Sequence, residues 1–191
     1  MFSGFVLDTN AYALIFQSPK SDDYRRLESY ISNSGVMQFF LPEIVSMEIH
    51  SVIGKYRRGG ATRQEERCSR IIVSGEGTSP CSQTCVWPKR NRMKDKVFRG
   101  LQKMMSDIEG LRGDIQGSVL ELTQVDLTEA KRLLGAHSHS HAFGSHDALV
   151  AATVKVAIGR GQNLTLVTSD RGLKAVCRVE GIPTFDPGVN A

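Results

Sequence analysis

The chain has 191 residues, of which 40% are hydrophobic and 23% charged, and its formal net charge is +4. This composition is typical of a globular domain with a substantial core, and it excludes the disordered and fibrous classes. The sequence shows neither a signal-peptide pattern nor a run of about 18 apolar residues, so we expect a cytosolic protein that does not insert into membranes. Its four cysteines are expected to be reduced thiols there.

The positive charge is concentrated in the middle of the chain. Between Lys55 and Lys103 there are 13 Lys and Arg residues but only 4 Asp and Glu residues, a local balance of +9 that leaves −5 for the rest. Such a basic segment is typical of a polyanion binder, and a solvated charged surface is the alternative.

The first part of the chain alternates apolar strands with helical patterns. The apolar run at 4–7 predicts a buried strand, and a short helical turn at 11–16 follows it. Apolar residues spaced by three and four predict a helix over 23–32. A second strand is expected at 36–41, and Pro42 is expected to begin a helix that runs to about Tyr56.

The regular pattern stops in the middle of the chain. From about 57 to 95 the sequence is rich in Gly, Ser and Arg, which predicts a long loop with a short helix around 63–73. Trp87 lies there beside basic residues and is suited either to stacking on a base or to burial in the core. Helical spacing resumes at 96–111, so we interpret 57–95 as a basic insertion within one domain, 1–191.

The second part returns to alternating strands and helices. Its predicted elements are a strand at 119–122, a helix at 126–134 ended by Gly135, a helix from the N-cap Ser145 to about Ile158, a strand at 163–168, a helix after Asp170, and an edge strand within 181–185. This alternation predicts a three-layer α/β/α sandwich with a mostly parallel central sheet.

Four carboxylates follow these strands or lie early in these helices. They are Asp8 after the first strand, Glu48 in the second turn of a helix, Asp147 in the first turn of another, and Asp170 after the last central strand. Parallel strands would gather all four at one edge of the sheet, where they would repel one another unless Mg²⁺ or Mn²⁺ were bound. Such a site suits phosphodiester hydrolysis. Each acid taken alone also fits a helix cap or a solvated position.

These segments resemble the PIN-domain ribonucleases, and VapC-type toxins in particular. The matching residues are Phe5-Val6-Leu7-Asp8-Thr9-Asn10, Glu48, Asp147-Ala148-Leu149-Val150-Ala151-Ala152 and Val167-Thr168-Ser169-Asp170. The resemblance covers about 1–56 and 96–187 and leaves the insertion unmatched. Glu43 is a rival to Glu48, although Glu48 better matches the spacing of the family.

The resemblance implies a metal-dependent endoribonuclease with a PIN-like fold, in which water attacks the RNA phosphate. It implies that the catalytic residues Asp8, Glu48, Asp147 and Asp170 bind one or two Mg²⁺ or Mn²⁺ ions, with Asn10 and Thr168 in support. It also implies a cognate antitoxin and a homodimer. RNA contacts are expected from the basic residues Lys89, Arg90, Arg92, Arg57 and Arg58.

Other functions remain open at this stage. The insertion is compatible with an RNA processing or decay nuclease, and a PIN-like module that binds RNA without cutting it is a further alternative. A phosphatase with Asp8 as nucleophile is disfavoured, because such enzymes need a second acid two residues later and Asn10 stands there.

Two further clusters allow a metal role. Cys68, Cys81 and Cys85 have part of a zinc-site spacing, although free thiols are the simpler interpretation. His137, His139 and His141 alternate with serine in a segment that fits a solvated loop better than a metal site. His146 is adjacent to Asp147 and is expected either to touch a phosphate or to lie on the surface at a helix start.

Overall fold

Five parallel strands form the central sheet of the protein. A computed structural model describes residues 3–35, 38–75, 77–112 and 116–189. The elements in chain order are β1 (Ser3–Leu7), α1 (Thr9–Phe16), α2 (Asp22–Ser34), β2 (Phe39–Pro42), α3 (Glu43–Arg58), β3 (Gly60–Arg67), β4 (Ile71–Ser74), β5 (Gly77–Pro80), β6 (Thr84–Asn91), α4 (Asp95–Glu109), β7 (Gly117–Leu120), α5 (Gln124–His137), α6 (Ser145–Gly159), β8 (Asn163–Val167), α7 (Arg171–Val179) and β9 (Thr184–Phe185).

The strand order of the sheet is β7-β2-β1-β8-β9, and every neighbouring pair is parallel. The two central strands are apolar and carry the core, since Val6, Leu7, Leu164, Leu166 and Val167 are all fully buried. Helices flank the sheet, which confirms the predicted α/β architecture. The chain order reverses between β1 and β8, so a topological switch point lies between them.

The chain divides into two compact units, one comprising Met1–His50 and Leu101–Ala191, the other Ser51–Gly100. The first unit holds the parallel sheet, and the second holds β3 to β6. That residues 1–191 form a single domain with an insertion at 57–95 stays a prediction. Among the described residues, no helix combines the length and the apolar character needed to cross a bilayer.

Several helix boundaries differ from the sequence predictions, three of them at residues that the sequence singled out. Helix α5 continues through Gly135 to His137, because its buried residues Ala130 and Leu133 hold it against the fold despite a glycine cost of about 1 kcal/mol. Pro42 ends β2 rather than starting α3. The N-cap of α6 is Gly144, and Ser145 is its first helical residue.

The segment predicted as a loop with a helix at 63–73 is instead a β-ribbon. Strand β3 pairs antiparallel with β6, and β4 pairs antiparallel with β5. Both pairs keep one register, in which Gly60 faces Asn91 and Ser74 faces Gly77. Backbone hydrogen bonds from Cys68 to Gln83 and from Cys81 to Arg70, each 2.9 Å long, join the two pairs. The prediction of a helix there was therefore wrong.

The same register explains how two prolines fit into the ribbon. Pro88 faces Arg63 and Pro80 faces Ile71. In an antiparallel ladder, hydrogen-bonded pairs alternate with pairs whose N–H groups point outward. Cys68 and Gln83 form a hydrogen-bonded pair, and the pairs alternate from there along the ribbon. Pro88 and Pro80 therefore both fall in pairs whose backbone nitrogens point outward, where a missing N–H removes no hydrogen bond within the ribbon.

Two glycine-to-alanine substitutions test this packing. A Cβ on Gly172, in α7, would lie 1.8 Å from the backbone oxygen of Ala142, whereas a Cβ on Gly135 would meet no atom within 4 Å. We expect Gly172→Ala to lower the free energy of unfolding by about 1–3 kcal/mol through overpacking. Gly135→Ala should raise it by about 0.5–1 kcal/mol, since alanine loses less backbone entropy in a helix. Urea unfolding measures both; equal stability of Gly172→Ala and the wild type would contradict the close approach.

Candidate active site

The candidate site lies at the switch point, beyond the carboxyl ends of β1 and β8. Leu7 pairs with Val167 at the end of the two strands, and the backbone N–H of Asp8 donates to the carbonyl of Val167 at 3.2 Å. Asp8 therefore follows one strand at the level where Thr168 follows the other. Crevices of this kind are where open α/β sheets bind their ligands.

Asp8 is a buried carboxylate, with 5% of its surface exposed. Its Oδ1 accepts a hydrogen bond from the N–H of Ala11 at 2.8 Å, so it also caps helix α1. Burial raises the pKa of Asp8 to about 6, against the opposing effect of hydrogen bonds from Thr168, Ala11 and Asn10, and the charge of Asp170 raises it further. A bound cation would favour the ionised form that burial penalises.

Thr168 connects two of the predicted ligands. It is fully buried, its hydroxyl bonds to the Asp8 carboxylate, and its oxygen accepts the N–H of Asp170 at 3.1 Å. The Oδ1 of Asp170 in turn accepts the N–H of Leu173 at 2.8 Å and caps α7. The predicted supporting residue Thr168 thus contacts the carboxylate of Asp8 and the backbone of Asp170, whereas Asn10 contributes its backbone N–H and keeps an exposed side chain.

Glu48 is held by residues of α1 and α6. The Thr9 hydroxyl donates to its Oε2, and His146 Nε2 lies 3.0 Å from the same oxygen, at ion-pair distance but outside hydrogen-bond geometry. Sequence reasoning missed Thr9 as a partner, and its signal was its place directly after Asp8. His146 contacts Glu48, so this predicted surface or phosphate-touching residue belongs to the site region.

Asp147 and Glu43 accept hydrogen bonds from backbone groups at the end of a helix and of a strand. Asp147 Oδ2 accepts the N–H of Gly144 at 3.0 Å at the start of α6. Glu43, the rival to Glu48, accepts the N–H of Leu122 at 3.1 Å beyond β7. Glu43 is thus engaged by the β7 end, whereas Glu48 contacts the residues that neighbour Asp8 and Asp147.

The donor chemistry fits a hard divalent cation. Within the described residues, no three His, Cys, Asp or Glu side chains are grouped so that they could hold a metal ion. Asp8 and Asp170 nevertheless interact electrostatically and share Thr168. Mg²⁺ is usually held by one or two carboxylates together with water and substrate phosphates, so a pair of carboxylates matches the protein's share of such a site. Coordination by all four acids stays a prediction.

Two of the predicted RNA contacts hold the end of helix α3. Arg57 forms an ion pair with Asp95, and its Nη1 donates to the carbonyl of Met93 at 3.0 Å. Arg92 Nε donates to the carbonyl of Arg57 at 3.2 Å. Both side chains therefore have structural partners in the Ser51–Gly100 unit. The side chains of Lys89, Arg90 and Trp87 lie outside the described residues.

The predicted histidine loop is partly helical. His137 lies in α5, and its Nε2 is 2.6 Å from Glu180 Oε1. Desolvation would raise the pKa of Glu180, but hydrogen bonds from His137, Lys155 and Arg132 outweigh it and lower the pKa to about 2. The structure thus gives His137 a place in an ion cluster that joins α5, α6 and the end of α7.

The cysteine prediction remains open. Cys68 and Cys81 are partly buried, and Cys177 is a buried thiol whose pKa burial raises to about 12. The side chain of Cys85 lies outside the described residues. Zinc binding by this group therefore stays untested.

No family model and no curated protein matches the chain. Among solved structures, FitAB bound to an IR36 DNA fragment is similar with a TM-score of 0.60 and 14% identity, over 98% of this chain and 97% of that chain. FitAcB from Neisseria gonorrhoeae is similar with a TM-score of 0.57 and 16% identity, over 96% of this chain and 97% of that chain. At such identities the likeness establishes the fold, and it confirms the PIN-like α/β fold that the sequence resemblance implied.

Proposed function

We propose that this protein is a metal-dependent endoribonuclease and the toxin of a toxin–antitoxin pair, acting in the cytosol as a homodimer that a cognate antitoxin inhibits. The observation that carries the nuclease proposal is the buried Asp8 carboxylate at the switch point, coupled through Thr168 to Asp170. The toxin assignment rests on the sequence resemblance and on a fold shared with FitAB over nearly the whole chain.

Each residue of the site has a specific task in this proposal. Asp8 and Asp170 would hold the ion, Thr168 binds the Asp8 carboxylate and the backbone N–H of Asp170, and Glu48 and Asp147 would supply the two remaining acids. Mg²⁺ or Mn²⁺, when bound, would activate water and offset charge on the phosphoryl oxygens. The backbone N–H groups of Ala11 and Asn10 keep Asp8 in one rotamer, so its oxygens are positioned before RNA arrives.

The competing functions differ in what they require of Asp8. A phosphatase with Asp8 as nucleophile needs a second acid two residues later, where Asn10 stands. A processing or decay nuclease would use the same site, and a non-catalytic RNA-binding module would not need it. Cleavage assays and cell growth therefore separate these alternatives.

The first prediction concerns cleavage. Wild-type protein should cut single-stranded RNA in Mg²⁺ or Mn²⁺ and stop in EDTA. Asp8→Asn and Asp170→Asn should lower the cleavage rate at least about 100-fold, and Thr168→Val about 10–100-fold, because second-shell partners of metal ligands have effects of that size. Gel analysis of end-labelled RNA measures the rates.

Glu43→Gln is the matched control for these acid variants, since Glu43 bonds to Leu122 at the end of β7. It should retain cleavage within about threefold of the wild type. RNA binding without any metal-dependent cutting by the wild type would leave the non-catalytic module as the better account.

The second prediction concerns the toxin assignment. Induced expression of the wild type should arrest bacterial growth, while Asp8→Asn should not. Co-expression of the neighbouring reading frame should restore growth and yield a stable complex on purification. Normal growth at a high level of active nuclease would instead favour a processing or decay enzyme.

The third prediction links the pH dependence of stability to the metal. Because the pKa of Asp8 rises from 3.8 unfolded to about 6 folded, folding favours the protonated acid. Stability of the metal-free protein should therefore fall as pH rises from about 4 to 6, by an amount on the order of 3 kcal/mol from this group. Asp8→Asn should remove that fall and be the more stable protein at pH 7.5 in EDTA, as measured by urea unfolding.

Magnesium should reverse this difference. It should raise the melting temperature of the wild type by mass action but leave that of Asp8→Asn unchanged. Asp126→Asn is the control, because Asp126 is a second buried aspartate, and its Oδ2 accepts the N–H and the hydroxyl of Thr123 in a capping box. An equal response of wild type and Asp8→Asn to Mg²⁺ would remove Asp8 from the ligand set.

A further inference from the structure

The C-terminal end of helix α3 contains a concave surface that the proposed catalysis does not use. Its volume is about 420 Å³, and its lining residues are Val52, Lys55, Tyr56, Arg58 and Gly59, all within the Ser51–Gly100 unit. This volume lies in the range of about 300–1,000 Å³ that is common for small-molecule sites. The lining combines an aromatic ring with two cationic side chains.

The helix end does not need those two cations. The carbonyl of Lys55 accepts the N–H of Gly59 at 3.1 Å, and the carbonyl of Tyr56 accepts the N–H of Met93 at 3.1 Å. The carbonyl of Arg57 accepts Arg92 Nε at 3.2 Å. Three of the four terminal carbonyls of the helix are therefore already satisfied, although such groups commonly attract basic side chains.

The three basic residues of the last turn of α3 have different surroundings. Arg57 is tied to Asp95 and lies over the ring of Phe98 at 5.6 Å from its centroid. Lys55 and Arg58 are exposed, and among the described residues their side chains have no ion pair or hydrogen bond. Two positive charges without an ion-pair partner among the described residues therefore line the pocket, beside one that is structural.

Tyr56 supplies the aromatic surface. The residue is 62% exposed, and in the described part of the chain its ring stacks on no other aromatic side chain. Exposed aromatic rings next to Lys and Arg are the usual platform for single-stranded nucleic acid, in which a base stacks on the ring and the cations contact phosphate.

We propose that this pocket binds one unstacked nucleotide of single-stranded RNA, with its base on Tyr56 and its phosphate between Lys55 and Arg58. The inference rests on the proposed function, which supplies RNA as substrate. A base within a duplex has both faces covered by its neighbours, so it cannot stack on the tyrosine ring. The pocket therefore selects single strands or loops over paired RNA.

The test measures affinity apart from cleavage. A fluorescein-labelled, mixed-sequence 12-nucleotide RNA is titrated with full-length protein in EDTA, and fluorescence anisotropy gives Kd. Tyr56→Leu should weaken binding about 5- to 150-fold, which corresponds to the loss of one stacked base. Tyr56→Phe keeps the ring and should bind within about twofold of the wild type. The same RNA annealed to its complement should compete poorly.

The contribution of the two cations is measured from the salt dependence of RNA affinity. Lys55→Gln combined with Arg58→Gln should lower the slope of log K against log salt by about 0.7, which is the loss of one single-strand phosphate contact. Lys131→Gln, an exposed lysine of α5 in the other unit, should leave the slope unchanged. Unchanged affinity of Tyr56→Leu, equal binding of duplex RNA, or preference for DNA of the same sequence would each overturn the proposal.

Failure of this proposal is distinguishable from failure of the proposed function. If Tyr56 controls RNA binding but no metal-dependent cleavage occurs, the pocket stands and the nuclease proposal falls. If cleavage depends on Asp8 while Tyr56→Leu binds like the wild type, the reverse holds. Circular dichroism of Tyr56→Leu and Tyr56→Phe shows that both variants are folded.

Discussion

The pairing of β1 with β8 is the constraint on which the candidate site depends. The two strands match over five residue pairs from Ser3 with Asn163 to Leu7 with Val167. Neighbouring strands lie about 4.8 Å apart, so this register brings Asp8 next to Thr168 although the two are far apart in sequence. A slip in register would move Asp8 away from Thr168 and Asp170.

The burial of Asp8 fixes the position of its carboxylate but costs electrostatic free energy. Burial moves the pKa of Asp8 to about 6, which makes the charged carboxylate unfavourable on the order of 3 kcal/mol in the metal-free protein. The apolar core of β1 and β8 offsets that cost. Strain of this kind is common where function, rather than stability, determines a residue.

The sequence predicted the parallel sheet and the position of Asp8 because both depend on local signals. An apolar run that ends on Asp marks a strand and the residue after it, and the structure makes Asp8 a helix cap as well as a buried carboxylate. The two interpretations of Asp8 were therefore compatible. The place of Thr9 directly after Asp8 was a signal that it lies near the site, but its contact with Glu48 depends on how α3 packs against α1.

The β-ribbon was not predicted from the sequence, and the reason is different. Its first strand reads as charged and polar around Arg63 to Arg70, without the alternation that marks a half-buried strand. What makes it a strand is pairing with residues up to 31 positions away, as between Gly60 and Asn91. Pro80 and Pro88 also argued against a strand, and both are tolerated because the register points their backbone nitrogens outward.

The distribution of charge gives the two units different tasks toward RNA. The Ser51–Gly100 unit has 12 Lys and Arg residues against 4 Asp and Glu residues, a balance of +8 that leaves −4 for the rest of the chain. A phosphate approaching the acids around Asp8 is repelled unless a cation is bound, so the acidic edge gains affinity for RNA only together with metal. The proposed pocket in the basic unit would bind phosphate without it. RNA binding in EDTA that depends on Tyr56, Lys55 and Arg58, with cleavage that depends on Mg²⁺ and Asp8, is the combination that this division of charge requires.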